Sequence, residues 1–222
     1  MNKTIVITGA TGALGNLVAR TFAGMGHNLA LLDKDAEKLD SLARSVNLPS
    51  GQLHAQTIDL LDGQAVRDSA GAVSAKFGNV HALIHLVGGW TGGKTLAEAD
   101  ASELDSMLDQ HVWTTFHLFQ SFSPLLAASG WGRVMVVSKS SVPVPPGREG
   151  IYAAAKAAQE NLVLTLAAEL KANGVTANIL QVKSIDTANK GTGATPDVIV
   201  AAMQYLFSEQ AGKVTGTRLP LY

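Results

Sequence analysis

The sequence lacks cysteine, an excess of charge of either sign, and any long apolar run. With no cysteine among 222 residues, disulfides, thiolate metal sites and cysteine nucleophiles are excluded. Seventeen Lys and Arg against eighteen Asp and Glu give a formal net charge of −1, so no overall basic field attracts a nucleic acid. No apolar run reaches the roughly 18 residues of a membrane span, and the first residues do not form a secretory signal. We therefore expect a cytoplasmic protein that acts on a small molecule, with no metal site and neither nucleic acid nor membrane as a partner.

Short β-branched runs alternate with longer helical stretches along the chain. The runs show no polar alternation, which is typical of strands buried on both faces of a parallel sheet. The pattern predicts an α/β fold: one Rossmann-type domain over 1–222, with a doubly wound parallel sheet of about seven strands and helices on both faces. The predicted strands are 3–8, 28–32, 53–58, 81–87, 133–137, 175–182 and 215–221. The predicted helices are 16–25, 35–45, 64–77, 104–128, 151–173 and 196–207.

A glycine-rich turn, TGATGALG at 8–15, separates the first strand from the first helix. Such glycines let the backbone approach a pyrophosphate at the helix N-terminus, although a tight turn without a ligand gives the same pattern. Asp33 ends the second strand, where a carboxylate accepts hydrogen bonds from ribose hydroxyls and repels a 2′-phosphate. This favours NAD(H) over NADP(H), whereas the adjacent Lys34 is a cation that could accept the phosphate. Asp59 comes at the end of the third strand. It is either a hydrogen-bond partner for the adenine amino group or a helix N-cap.

Tyr152 and Lys156 lie four residues apart, so on a helix they share one face. A free tyrosine has a pKa near 10. A nearby cation lowers that pKa toward the range that general acid–base catalysis needs. The pair follows the fifth predicted strand, beyond which Ser138, Ser140 and Ser141 are candidates for binding a substrate oxygen. Together these residues predict a site for proton transfer to or from a substrate oxygen.

With these motifs the chain resembles the short-chain dehydrogenase/reductase family over nearly its whole length. The resemblance is carried by 8–15, Asp33, Asp59, Gly88, the serine-containing loop, Tyr152 with Lys156, and 178–187. It implies an NAD(P)(H)-dependent oxidoreductase that transfers a hydride between nicotinamide and a carbonyl, an alcohol or a quinonoid substrate. In that family the tyrosine is the acid or base, the lysine lowers its pKa and binds the nicotinamide ribose, and a serine orients the substrate oxygen.

The resemblance also assigns the remaining site residues. His111 stands where the family usually has an asparagine that supports a water-mediated proton relay, although packing within a helix is the simpler interpretation. The usual serine-to-tyrosine spacing of 13 lands on Lys139, so Ser138 is the first candidate for the substrate anchor and Ser140 the second. The implied cofactor-binding residues are Gly9, Thr11, Gly12, Ala13, Leu14, Gly15, Asp33, Lys34, Asp59, Leu60, Val87, Gly88, Gly89, Lys156, Ile185 and Thr187.

A closer similarity is to the dihydropteridine-reductase-like branch, carried by VGGWTGG at 87–93 and WTT at 113–115. Trp90 in this segment is either an aromatic wall for a flat ring or a plain hydrophobic lid residue. The substrate loop at about 186–196 is shorter than the lid of most relatives, which leaves open a non-catalytic NAD(H)-binding sensor. Because family members commonly pair their two long helices, we expect a homodimer or homotetramer.

Overall fold

A computed structural model describes residues 2–222, so residue 1 of the predicted domain lies outside it. Its strands are β1 (Thr4–Thr8), β2 (Asn28–Asp33), β3 (Leu53–Thr57), β4 (Ala82–His85), β5 (Gly132–Lys139), β6 (Val175–Val182) and β7 (Arg218–Pro220). All pair in parallel, in the order β3-β2-β1-β4-β5-β6-β7. The prediction of a single α/β domain built on a parallel sheet is confirmed.

Within residues 2–222, seven α-helices connect the strands. They are α1 (Ala13–Gly24), α2 (Ala36–Ser45), α3 (Gly63–Phe77), α4 (Ala101–Leu108), α5 (Thr114–Ala128), α6 (Gly150–Glu169) and α7 (Pro196–Phe207). A one-turn π-helical segment, Asp109–Trp113, joins α4 to α5. Among residues 2–222, no helix combines the length and the apolarity that crossing a membrane requires.

The sheet is buried on both faces, as its uninterrupted apolar strands predict. All five residues of β1 are buried. Ile5 and Ile7 pack with α1 and α7 on one face, whereas Val6 packs with α3, α5 and α6 on the other. Each such side chain contributes roughly 1.5–3 kcal/mol by leaving water. These two layers of helices hold the sheet rigidly, so the loops at the carboxyl ends of the strands have fixed starting points.

Three element boundaries differ from the prediction in ways that affect the site. Helix α1 begins at Ala13 rather than at 16, because Gly12 already has the extended backbone of an N-cap. The helix predicted over 104–128 begins at Ala101 and contains the π-helical segment. Strand β5 continues past 137 to Lys139, because its pairing with β6 extends that far. Ser138 therefore lies on a strand rather than in a loop.

The strand order reverses between β1 and β4, which are neighbours in the sheet. Chain connections leave this point toward opposite faces, which opens a crevice at the carboxyl ends of the strands. The glycine turn after β1 and the segment after β4 border that crevice. A ligand site is expected there on topology alone.

Candidate active site

The backbone of the glycine turn has a shape that depends on glycine at positions 9 and 15. Gly9 has a φ of +67° and donates its N–H to the Leu32 carbonyl at 3.0 Å. A Cβ added to Gly15 would lie 2.1 Å from the Gly9 carbonyl oxygen, so only glycine fits there. The backbone can consequently fold tightly beneath the N-terminus of α1, where free N–H groups and the helix dipole favour an anion.

Asp33 is fixed at the end of β2 beside this turn. Its Oδ2 accepts a hydrogen bond from the Thr11 N–H at 2.9 Å, and its Oδ1 accepts one from the Asp35 N–H at 3.2 Å. Each carboxylate oxygen has a further lone pair for a ligand hydroxyl. Lys34 is exposed and also lines this region.

A cleft of about 530 Å³ extends from the glycine turn past Asp33; we call it the Asp33 cleft. It is lined by Gly9, Gly12, Leu32, Asp33, Lys34, Ile58, Asp59, Leu60, Leu61, Leu86, Val87, Gly88, Ser106, Asp109, Gln110 and Thr114. Asp59 accepts a hydrogen bond from the Leu61 N–H at 3.0 Å, whereas the N-cap of α3 is Asp62. The interpretation of Asp59 as that N-cap is therefore wrong.

A second cleft of about 500 Å³ opens on the other side of the glycine turn; we call it the Tyr152 cleft. It is lined by Gly9, Gly12, Ala13, Leu14, Gly15, His85, Leu86, Val87, Gly88, Gly89, Trp90, His111, Val137, Ser138, Lys139, Tyr152, Lys156, Val182, Lys183, Ser184, Ile185 and Thr187. The two clefts share five lining residues, Gly9, Gly12, Leu86, Val87 and Gly88, and so border the same turn. Three of the sequence-predicted site residues, Thr11, Ser140 and Ser141, line neither cleft.

Lys156 is almost fully buried and is held by hydrogen bonds. Its Nζ donates to the Val137 carbonyl and to Oε1 of Gln159, both at 2.8 Å. Gln159 in turn donates to the Thr115 hydroxyl at 2.8 Å, and Thr115 donates to the His111 carbonyl at 2.6 Å. Burial lowers the pKa of Lys156 to about 8, against an opposing effect of the Glu160 carboxylate. Gln159 and Thr115 are not predicted as site residues, because helical spacing alone does not show that their side chains meet.

Tyr152 lies one helical turn before Lys156 and faces the same cleft. Burial, together with the negative charges of Glu149 and Glu160, raises the pKa of its hydroxyl to about 12. This shift is opposite to the lowering predicted from a neighbouring cation, because burial disfavours the charged phenolate. At neutral pH the side chain is a phenol, the form that can donate a proton to a carbonyl oxygen.

His111 lies on the π-helical segment, and its ring is perpendicular to that of Tyr152 at a centroid distance of 5.6 Å. Its Nε2 is 3.0 Å from the Gly89 carbonyl oxygen, which can only accept, so the proton is on Nε2. Its Nδ1 is therefore an acceptor, and it is buried without a partner among residues 2–222. Burial lowers the His111 pKa to about 3, which keeps the imidazole neutral. A Cβ on Gly88 would lie 2.4 Å from this ring, so glycine is required there.

The two candidate serines have different surroundings. Ser138 lines the Tyr152 cleft, and its buried hydroxyl has no hydrogen-bond partner within the described part of the chain. Ser140 lies outside the cleft lining, and its backbone N–H donates to the Val182 carbonyl at 2.9 Å. Lys139 between them lines the cleft and forms an ion pair with Glu149 at 2.7 Å. The spacing of 13 residues before Tyr152 lands on Lys139, and that spacing is the sequence signal for this residue.

The loop between β6 and α7 forms no helical lid. Ile185 and Ala194 form a β-bridge, and the Asp186 carboxylate accepts a hydrogen bond from the Thr192 N–H at 3.0 Å. These contacts join the beginning of the loop to its end. Trp90, which lines the same cleft, is 60% exposed. The Tyr152 cleft is consequently open toward solvent on this side.

The chemistry of the two clefts fits a dinucleotide. A glycine cradle that excludes a Cβ, a carboxylate at the end of β2 and a buried lysine can hold a pyrophosphate, a ribose and a second ribose, respectively. Within residues 2–222, no group of three His, Asp or Glu side chains is placed to bind a metal ion.

The doubly wound parallel sheet with this turn and this tyrosine–lysine pair defines a Rossmann-type oxidoreductase. The model of the short chain dehydrogenase family matches residues 3–195, and the protein belongs to that family. Bacterial relatives include a (2S)-[(R)-hydroxy(phenyl)methyl]succinyl-CoA dehydrogenase subunit of Thauera aromatica, 27% identical over 98% of this chain and 92% of the relative. D-threitol dehydrogenase of Mycolicibacterium smegmatis is 26% identical over 98% and 90%.

Solved structures show the same fold. Sorbitol-6-phosphate 2-dehydrogenase from Erwinia amylovora superimposes with a TM-score of 0.88 at 20% identity, over 98% of this chain and 96% of that one. The similar proteins are dehydrogenases with different substrates, and they do not single out the dihydropteridine-reductase-like branch.

Proposed function

We propose that the protein transfers a hydride between NAD(H) and a carbonyl, alcohol or quinonoid substrate. The observation that carries this proposal is the shared border of the two clefts at the glycine turn. A dinucleotide lying across that turn would have its adenosine near Asp33 and its nicotinamide near Tyr152. The nicotinamide, when bound, supplies the redox chemistry.

The residues of the Tyr152 cleft supply the proton and the orientation. Tyr152 donates a proton to the carbonyl oxygen on reduction or accepts one from the alcohol on oxidation. Lys156 binds the nicotinamide ribose through the N–H that is left after its bonds to Val137 and Gln159. Ser138 is the preferred substrate anchor because its hydroxyl is unpaired at the cleft, whereas Ser140 lies outside it.

The preference for NAD(H) over NADP(H) rests on Asp33. A fixed carboxylate next to the glycine turn accepts hydrogen bonds from ribose hydroxyls and repels a 2′-phosphate. Lys34 is exposed, so its ammonium stays in water and does not offset that repulsion fully. Binding of NADH with higher affinity than NADPH would support this part of the proposal.

The direct test is NADH oxidation by the purified protein with a panel of ketones, aldehydes and quinonoid compounds. Tyr152→Phe removes only the hydroxyl, so we expect turnover to fall at least about 100-fold while NADH still binds. Tyr205→Phe is the matched control, because Tyr205 is half-exposed on α7 away from both clefts. Full activity of Tyr152→Phe would show that the assigned acid is wrong.

Reduction of quinonoid dihydropterin is a narrower candidate, supported by Trp90. This indole lines the Tyr152 cleft and is largely exposed, so a flat bicyclic substrate can stack on it. The test is NADH oxidation with quinonoid dihydropterin by the parent protein and by Trp90→Ala. Turnover by the parent that the variant loses supports this substrate, and no turnover by the parent removes it.

An NAD(H) sensor without turnover is the candidate from another class. It is supported by the β6–α7 loop, which is tied to its own base through Asp186 and does not cover the cleft. Tight NADH binding without oxidation across the whole panel would favour the sensor over the enzyme.

We further propose a homodimer or homotetramer. Trp113 and Phe116 are exposed beside each other at the start of α5, with ring centroids 6.0 Å apart, and a second subunit would bury them. Light scattering after size exclusion would give the number of subunits.

A further inference from the structure

The charged side chains that line the Tyr152 cleft are all of one sign. Lys139, Lys156 and Lys183 line it, and among residues 2–222 no carboxylate does. The Asp33 cleft is the reverse, with three aspartates and a single lysine in its lining. The site is therefore divided into an acidic half and a basic half.

Lys156 has little capacity left to bind an anionic substrate, because Val137 and Gln159 accept hydrogen bonds from two of its three N–H donors. Lys183 is exposed at the end of β6. Lys139 is the cation beside the proposed acid, because its Nζ lies 5.8 Å from the centre of the Tyr152 ring. It is thus the lysine best placed to meet a group next to the reacting carbon.

The Lys139 ammonium is held in place by one hydrogen bond and keeps other N–H donors for a ligand. One of its N–H groups donates to Oε1 of Glu149 at 2.7 Å, which leaves two for a ligand. The other oxygen of Glu149 accepts from the Ser141 hydroxyl at 3.1 Å, so the carboxylate is itself held in place. Glu149 is not part of the cleft lining, and a substrate entering the cleft meets the ammonium rather than the carboxylate.

From this arrangement, and resting on the proposed function, we propose that the substrate is an anionic carbonyl compound whose carboxylate or phosphate binds Lys139. The remaining lining is largely apolar, with Trp90 and Ile185 at the exposed side. We therefore expect the substrate to carry an apolar group next to its anionic carbonyl unit, because such a group would pack against that lining. Lys139 is then a specificity-determining residue, and Glu149 is its positioning residue.

The experiment compares each acid with its own neutral ester, in the presence of NADH. The pairs are benzoylformate with methyl benzoylformate and acetoacetate with methyl acetoacetate. Dihydroxyacetone phosphate with dihydroxyacetone distinguishes phosphate from carboxylate. Because a hydrogen bond to a charged group is lost in the ester, we expect kcat/KM for the acid to be about tenfold to a hundredfold higher.

Lys139→Met removes the charge and keeps the length of the side chain. We expect it to raise KM for the anion and to bring the acid-to-ester ratio close to one, with little change for the ester. Lys139→Arg keeps a cation and should retain most of the preference. Lys190→Met is the matched control, because Lys190 is an exposed lysine that lines neither cleft.

The outcomes separate this proposal from the proposed function. Turnover in which esters are used as well as acids, or in which Lys139→Met keeps the acid preference, overturns the anionic substrate but leaves the oxidoreductase intact. If nothing is turned over, the proposed function fails, and binding of the same pairs to the protein–NADH complex decides this inference. Tighter binding of the anion that Lys139→Met loses supports it, and equal or absent binding of both members of every pair overturns it.

Discussion

The backbone N–H of Thr11 donates a hydrogen bond to Oδ2 of Asp33 at 2.9 Å, which joins the glycine turn to the end of β2. The side chain proposed to select the cofactor is thereby fixed by the segment proposed to bind its phosphates. A substitution at Asp33 that keeps this hydrogen bond therefore changes the charge while the turn stays joined to β2.

Asp33→Asn removes the negative charge and keeps an oxygen acceptor for the Thr11 N–H, while the weaker hydrogen bond from the Asp35 N–H is given up. We expect the dissociation constant for NADH to rise about tenfold, because hydrogen bonds to a charged acceptor are stronger than those to an amide. Binding of NADPH should improve, because the repulsion of its 2′-phosphate is gone. Fluorescence titration with both cofactors measures the two constants. Asp40→Asn, an exposed carboxylate on α2, is the control, and an unchanged NADH-to-NADPH ratio at Asp33 would contradict the assignment.

Ser138→Ala and Ser140→Ala together test the choice of substrate anchor. The Ser138 hydroxyl is buried without a partner in the described residues, so its removal should not lower the free energy of unfolding. Any loss of activity then reflects a contact with substrate. We expect kcat/KM to fall about tenfold or more for Ser138→Ala and to change little for Ser140→Ala, as measured by steady-state kinetics with thermal unfolding alongside. A loss confined to Ser140→Ala would reverse the assignment.

Gly15→Ala tests whether the turn needs glycine for its shape. The new methyl group would lie 2.1 Å from the Gly9 carbonyl oxygen, so the backbone of the turn must move. We expect NADH binding to be lost and stability to fall by roughly 1–3 kcal/mol, the usual cost of overpacking. Calorimetry and NADH titration measure the two effects.

Gly71→Ala is the counterpart of this substitution. A Cβ at Gly71 on α3 meets no atom within 4 Å, so alanine there should stabilise the helix by about 0.5–1 kcal/mol and leave NADH binding unchanged. If Gly15→Ala behaved like Gly71→Ala, the tight turn would have no role in binding.

The fold was predictable because each strand is an uninterrupted apolar run and each helix has its own end signals. Helix α7 is one example: it is predicted over 196–207 and runs from Pro196, a residue favoured at the first helical position, to Phe207. The π-helical turn around His111 was not predictable, because it depends on packing against α6 rather than on any local sequence signal.

The site was predictable where it depends on spacing and not where it depends on burial. Tyr152 and Lys156 share a helix face by their spacing, and the structure places both at one cleft. The spacing predicts the wrong direction for the Tyr152 pKa shift, because it does not show the burial that raises this pKa. The network from Lys156 through Gln159 joins α6 to α5, and contacts between elements distant in sequence do not show in a linear pattern.

His85 is a fully buried ionisable group beside the glycine turn, and it should make the fold sensitive to acid. Its Nδ1 is 2.7 Å from the Thr8 hydroxyl and its Nε2 is 3.4 Å from the Thr114 hydroxyl. Burial, reinforced by the positive charge of Lys156, lowers the His85 pKa from 6.5 to about 3. Between these two pH values, His85 therefore binds a proton in the unfolded chain but stays neutral in the folded protein.

The sign of the pH dependence follows from that difference. Because the folded pKa is the lower one, the stability that His85 contributes is complete above pH 6.5 and is lost as the pH falls toward 3. Between pH 6.5 and pH 4 this amounts to about 3 kcal/mol of unfolding free energy. His85→Asn retains a polar partner for both threonines and does not titrate, so the stability of this variant should fall less steeply over that range. Urea unfolding of the two proteins at a series of pH values measures the slopes. Equal slopes would mean that His85 is not the group that acid protonates on unfolding.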